Sequence, residues 1–250
     1  MTGGEAVLDV RELVAGYDGV AVVHGLDLHV DGGEVVALLG ANGAGKTTTL
    51  LTISGLLPRL GGSVEVLGEA VARRRRARAA TVIGLARRGL AHVPEDRALF
   101  ADLTAGENIR LGQSRRSTDA DLDRVLDLFP ALRPILDRPA GLLSGGEQQM
   151  LTLARALVSQ PRLLLVDELS LGLAPIIVEA LLPVLRSVAA ETGAGVLVVE
   201  QHVNMALAVA DRAYVLDRGR VVATDTAAVL AADPDRLRAG YFGQSRPAGH

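Results

Sequence analysis

The stretch GANGAGKTT, Gly40 to Thr48, places the chain's only lysine, Lys46, in the spacing G-x-x-x-x-G-K-[ST]. That combination suits a polyphosphate. Glycines let backbone N–H groups turn inward and approach phosphate oxygens closely, where a Cβ would stand in the way. A helix beginning at the lysine adds the positive end of its dipole. Lys46 offers a compact charge on a long stem to the β and γ phosphates, and Thr47 a hydroxyl to Mg2+. The candidate phosphate-binding residues are therefore Gly40, Ala41, Asn42, Gly43, Ala44, Gly45, Lys46, Thr47 and Thr48. A glycine loop that only turns the chain is the plain alternative, and the Lys-Thr pair in register argues against it. All other basic residues except histidines are Arg, so the one lysine is expected to have a task that a guanidinium cannot perform.

Three further stretches carry candidate chemistry. LLLVDE, Leu163 to Glu168, sets two carboxylates at the C-terminal end of an apolar strand, where ligands bind in open α/β sheets. Asp167 would hold Mg2+, and Glu168 could polarise an attacking water as general base. LSGGEQQM, Leu143 to Met150, contains Ser144 and Glu147 at the spacing of a capping box. Its glycines are not needed for capping; they would expose helix N-terminal N–H groups to an anion. VVEQHV, Val198 to Val203, ends an apolar run with Glu200, Gln201 and His202 in a row. Histidine titrates near neutrality and is the obvious candidate of the three.

These residues need elements to hold them. EVVALLG (34–40), LLLVD (163–167) and GVLVV (195–199) read as buried strands, each followed by a helical pattern. Strand–helix alternation predicts a parallel sheet covered by helices. VLDVRELVA (7–15) and VAVVHGLDLHV (20–30) alternate apolar and polar, as antiparallel strands with one wet face do. AYVLDRG and RVVAT fit two further short strands, and Leu122, Val125, Leu126, Leu128 and Phe129 fall at helical spacing. The charge run Ala72 to Arg78 reads as a solvated surface, and the tail GQSRPAGH as disordered.

The 250 residues are 49% hydrophobic and 22% charged, enough for a sizeable core. There is no cysteine, which fits a reducing compartment and excludes disulfides. The net charge of −3 argues against nucleic-acid binding as the main task. MTGGEAVLDV lacks the pattern of a secretory leader, and no apolar run approaches the ~18 residues of a spanning helix, so a soluble protein is expected.

LSGGEQ between a phosphate loop and a hydrophobic-Asp-Glu strand resembles the signature of ABC ATPases. The resemblance implies a P-loop α/β fold: a parallel core sheet, an antiparallel β subdomain and an inserted helical subdomain. It implies one domain over residues 5–243, with the helical part at about 100–155 and a flexible tail over 244–250. It further implies that Ser144, Gly145 and Gly146 bind the γ-phosphate of ATP held by a second subunit, in a head-to-tail dimer. Tyr17 matches the aromatic that stacks on adenine. HVPEDRALF (92–100) occupies the place of the loop that meets Mg2+ and couples to the membrane subunit, with Glu95 where most members carry Gln. SLGLAP (170–175) follows the catalytic acid, and Leu169 replaces a usual proline, leaving the backbone freer.

NMALAVADRAYVLDRG matches the family's last helix and strand without gaps, which puts Gln201, not His202, at the γ-phosphate switch position. Gln can donate to phosphate but cannot carry a proton near neutrality. Together these features are similar to the ATPase subunits of branched-chain and hydrophobic amino-acid importers, over about residues 7–243. The resemblance implies two transmembrane permease subunits, a second ATPase subunit of like or unlike chain, an extracytoplasmic solute-binding protein, and a place on the cytoplasmic face of the membrane. Urea or short-amide importers and soluble, non-transport ABC ATPases are the alternatives. A P-loop kinase would lack LSGGEQ, and a GTPase would need a second lysine to read guanine.

Overall fold

The computed structural model describes residues 5–72, 78–114, 117–233 and 237. Most of the arginine run and the C-terminal tail lie outside these residues. In chain order the elements are β1 (Ala6–Tyr17), β2 (Val20–Asp31), β3 (Val35–Leu39), α1 (Lys46–Ile53), β4 (Arg59–Val66), β5 (Glu69–Ala70), α2 (Arg78–Arg88) and β6 (Leu90–Val93). Then come α3 (Ala105–Leu111), α4 (Asp119–Leu128), α5 (Gly145–Leu157), β7 (Leu163–Asp167), α6 (Pro175–Thr192), β8 (Gly195–Glu200), α7 (Val203–Val209), β9 (Arg212–Asp217), β10 (Arg220–Thr226) and α8 (Ala227–Ala232).

The expected α/β architecture forms. One sheet runs β10-β9-β3-β8-β7-β6, parallel except for the β10 edge; the other, β2-β1-β4-β5, is antiparallel. The continuous apolar runs follow from burial on both faces of the first sheet. Val35, Ala37 and Leu39 of β3 enter the core beneath the helices, whereas Val36 and Leu38 face the antiparallel sheet. β7 divides likewise, Leu164 and Val166 to one side, Leu163 and Leu165 to the other. This double anchoring fixes the register of each strand, and so fixes where each carboxyl end delivers the next residue.

The helical part comprises α3, α4, α5 and short 3-10 turns at Pro130–Ile135 and Ala140–Leu142. The helical spacing through Phe129 is cut at Leu128, because the residue before a proline is pushed out of the α region. Phe129, with φ −127° and ψ 68°, caps α4 and drops into the core at 2% exposure. Buried Asn108 pins the loop ahead of α3, accepting from Phe100 N at 3.0 Å and donating to the Phe100, Leu103 and Thr104 carbonyls. Among the described residues no helix is long and apolar enough to cross a membrane.

Candidate active site

The loop after β3 turns so tightly that a Cβ on Gly40 would stand 2.4 Å from the Leu216 carbonyl oxygen. Gly45 caps α1 in the left-handed region, φ 105°, which glycine adopts without steric cost. No side chain caps this helix and its first turn holds no acid, so the positive helix end faces the loop unneutralised by its own residues. Lys46 runs into the loop at 3% exposure. Its Nζ donates to the carbonyls of Gly40 (2.9 Å) and Ala41 (3.1 Å) and lies 3.3 Å from Glu168 Oε1.

A cavity of about 310 Å³ opens above the loop. It is lined by Val22, Asn42, Gly43, Gly45, Lys46, Thr47, Thr48, Glu95, Glu168, Leu171 and Gln201. Five separated stretches of sequence thus converge on one space. Tyr17, half exposed at the end of β1, and Ser144, Gly145 and Gly146, at the start of α5, are not part of that lining. Asp167 lies behind it at 2% exposure. Burial raises its carboxyl to about 6, against a Thr47 hydrogen bond that lowers it; the Glu168 and Glu95 charges raise it further and Lys46 opposes them. Its Oδ1 is buried with no hydrogen-bond partner among the described residues. An orphaned carboxylate oxygen beside a threonine hydroxyl and two more carboxylates is an environment that a hard divalent cation fits.

Glu168 sits where β7 ends, with φ 46°, a region that costs a non-glycine residue about 1–3 kcal/mol. Neighbours hold it there. Its N–H donates to Val199 O at 3.0 Å, and Gln201 Nε2 donates to its Oε2 at 2.8 Å. The carboxylate is therefore fixed between an amide and an ammonium. Of the three polar residues closing β8, Gln201 lines the cavity, whereas His202 is exposed at the start of α7. Glu200 turns the other way and is fully buried. Leu169, expected to leave the backbone freer, is itself fully buried and anchors the turn through the core.

The capping box at α5 forms: Ser144 Oγ accepts from Glu147 N at 3.3 Å, and Glu147 Oε2 accepts from Ser144 N at 2.7 Å. The segment after Glu95 is tied to this helix. Arg97 Nε donates to Gln149 (3.0 Å) and Nη1 to Gln148 (2.9 Å), while Arg155 donates to the carbonyls of Arg97 and Ala98.

Known proteins share this fold and sequence pattern. Residues 23–170, more than half of the chain, match the family described as ABC transporter. The chain belongs to the ABC transporter ATP-binding family. The high-affinity branched-chain amino acid transport ATP-binding protein BraG of Pseudomonas aeruginosa is 43% identical, over 91% of this chain and 95% of its own. The lipopolysaccharide export system ATP-binding protein LptB of Escherichia coli is 31% identical, over 96% of this chain and 98% of its own. A solved ATP-binding subunit of an ABC transporter superposes with a TM-score of 0.78, at 31% identity over 95% of both chains.

In this ABC ATPase the sequence motifs account for the cavity wall except Val22; Leu171, the buried Glu200 and the bridging Arg97 fall within the stretches quoted from the sequence, but none had a role there. Val22 carries no motif. Arg97 and Glu200 show their tasks only through partners about 50 and 30 residues away.

Proposed function

We propose that this chain is the ATP-hydrolysing subunit of an ABC importer for branched-chain or other hydrophobic amino acids. The observation that carries the chemistry is the Glu168 carboxylate, held by Lys46 and Gln201 at the wall of the phosphate-loop cavity. In this reading the loop N–H groups and Lys46 bind the phosphates, Glu168 takes the proton of the attacking water, and Gln201 donates to the γ-phosphate. Tyr17, exposed at the end of β1, stacks on adenine. Ser144, Gly145 and Gly146 face the nucleotide of a second ATPase subunit, a role compatible with their place outside this chain's own cavity. A Mg2+ ion held by Thr47, Asp167 and Glu95 would supply Lewis-acid stabilisation of the phosphate charge. Among the described residues no three acids or histidines form a metal cage, so phosphate and water would complete the coordination, as is usual for this ion.

The kinship to BraG over nearly the whole chain supports the amino-acid substrate class; the weaker kinship to LptB supports transport in general. The partners are two permease subunits, a second ATPase subunit and, indirectly, an extracytoplasmic solute-binding protein, with this chain peripheral on the cytoplasmic face. The test is affinity purification from membranes of the Glu168→Gln variant with ATP. Two polytopic proteins and a second ABC ATPase are expected, and the associated binding protein should take leucine, isoleucine or valine. Urea or an amide as its ligand would change the substrate, and recovery of soluble partners alone would end the importer reading.

Two substitutions test the assignments within the cavity. Gln201→Ala should lower kcat by about 10²- to 10³-fold, as loss of a donor to developing charge does, with His202→Ala within about twofold of wild type. The reverse order in steady-state assays would put the switch at His202. Glu95→Gln removes one of the charges that raise Asp167. ATP should then bind more tightly without metal, so that Mg2+ improves affinity by about fivefold less than in wild type, the size of a ~1 kcal/mol charge interaction. Titration of ATP with and without EDTA measures that ratio; an unchanged ratio would place Glu95 outside the metal's field.

A further inference from the structure

Glu200 has no part in the chemistry described so far, yet it is a carboxylate with no solvent exposure. Ser170 uses both of its oxygens, and the backbone N–H of Gln201 bonds to the carboxylate as well. Ser170 donates its backbone N–H to Oε1 at 3.0 Å and its hydroxyl to Oε2 at 2.6 Å. Ser170 lies two residues beyond Glu168, in the turn that leaves β7. The same two strand ends are joined twice more, by Glu168 N to Val199 O at 3.0 Å and by Gln201 Nε2 to Glu168 Oε2 at 2.8 Å. The turn is closed locally by Leu171 N on the Glu168 carbonyl, 3.2 Å, and Leu171 lines the cavity.

We infer that Glu200 is a positioning residue for Glu168: by clamping Ser170 to the end of β8 it fixes the turn that aims the catalytic carboxylate into the cavity. Burial penalises the charged form of Glu200, and an apolar residue would fill the same space without that cost. What an apolar residue would not supply is a pair of acceptors for Ser170. Glu168 holds an unfavoured left-handed backbone, φ 46°, and such a conformation persists only where bonds on either side determine it. Val199 holds the near side, and Glu200 holds the far side. The three residues that close β8 then divide their work: Glu200 fixes the turn, Gln201 holds the carboxylate, and His202 starts the next helix.

This inference rests on the proposed ATPase reading, and one set of full-length variants tests both. ATP turnover, ATP affinity and urea unfolding are measured for wild type, Ser170→Ala, Glu200→Gln, Glu200→Ala and the double Ala variant. Glu200→Ala should lower kcat by about 10- to 100-fold, the effect of a misplaced catalytic group, with KM and ATP affinity within about twofold. Ser170→Ala, which keeps its backbone N–H on Glu200, should lose a smaller part of kcat, and the double variant should fall no further than Glu200→Ala, because Glu200→Ala already removes both acceptors of Ser170. Glu200→Gln should stay within about threefold of wild type, since its amide oxygen still accepts from Ser170 N–H and its NH2 can donate to the hydroxyl. A wild-type kcat in folded Glu200→Ala and Ser170→Ala overturns the inference. So does a parallel loss of kcat and ATP affinity with Glu200→Gln no better than Glu200→Ala, which marks a merely structural residue. If Glu200→Ala does not fold, an unchanged kcat in Ser170→Ala overturns it alone. Absence of turnover in wild type removes the ATPase reading itself and the inference with it.

Discussion

Glu168→Gln stops ATP turnover and leaves ATP bound. The substitution keeps the shape of the side chain and one oxygen able to accept from Gln201, now 2.8 Å away, so the cavity wall should stand. It removes the group that could take a proton from water, a contribution worth about 10²–10⁴ in rate. It also removes a negative charge 3.3 Å from Lys46 Nζ, which frees the ammonium for phosphate. ATP should therefore bind at least as tightly as to wild type. Phosphate release under saturating MgATP measures the first effect, and nucleotide retained through gel filtration the second. In the proposed dimer the second measurement should also show a shift to the mass of two chains that wild type shows only transiently. Equal turnover in the variant would remove Glu168 as the base and leave Glu95, the other carboxylate of the lining, to be tested in its place.

How far the sequence revealed this site depended on whether each signal was local. The strands β3, β7 and β8 are legible because burial on both faces demands unbroken apolar runs, and α5 because its capping box lies within four residues. β4 was not legible. Its Gly61 packs against Val14 and its Gly62, at φ 72°, sits against backbone of Arg11 and Glu12, so the pattern is broken by contacts with a strand some 50 residues earlier. β6 is four residues long and includes His92, too short and too polar for a period to show. The motifs named the residues that converge on the cavity, except where convergence is purely tertiary. Val22 belongs to a strand of the other sheet, and Glu200 resembles any polar strand end until Ser170 is seen against it. The choice of Gln201 over His202 is legible in the sequence only through the ungapped match of the following helix; in the structure β8 alternates faces and the turn after it carries Gln201 back towards Glu168 and into the cavity lining.

Lys46→Ala and Lys46→Arg should both leave a folded protein that fails with ATP, and the arginine variant is the more informative. Lys46 Nζ occupies a pocket made by two loop carbonyls and Glu168 Oε1, all within 3.3 Å, while 3% of the side chain is exposed. A single tetrahedral ammonium can point three hydrogens at three such acceptors. A guanidinium is planar, broader and donates as a fork, so it cannot occupy the same point without displacing the loop. Charge is conserved in Lys46→Arg, yet ATP affinity should fall by about 10²-fold, comparable with Lys46→Ala, in which a hydrogen bond to a charged group worth about 1.5–3 kcal/mol is lost. Differential scanning makes the comparison without relying on catalysis. Wild type should melt at higher temperature as ATP is added, by linkage, and neither variant should respond at the same concentrations. If Lys46→Arg binds and hydrolyses ATP as wild type does, a positive charge alone suffices, and the survival of one lysine among arginines has no chemical cause. If Lys46→Ala is fully active, the loop is a turn and the phosphates bind elsewhere. Failure of both, with folding intact, ties the retained lysine to the shape of the loop that encloses it.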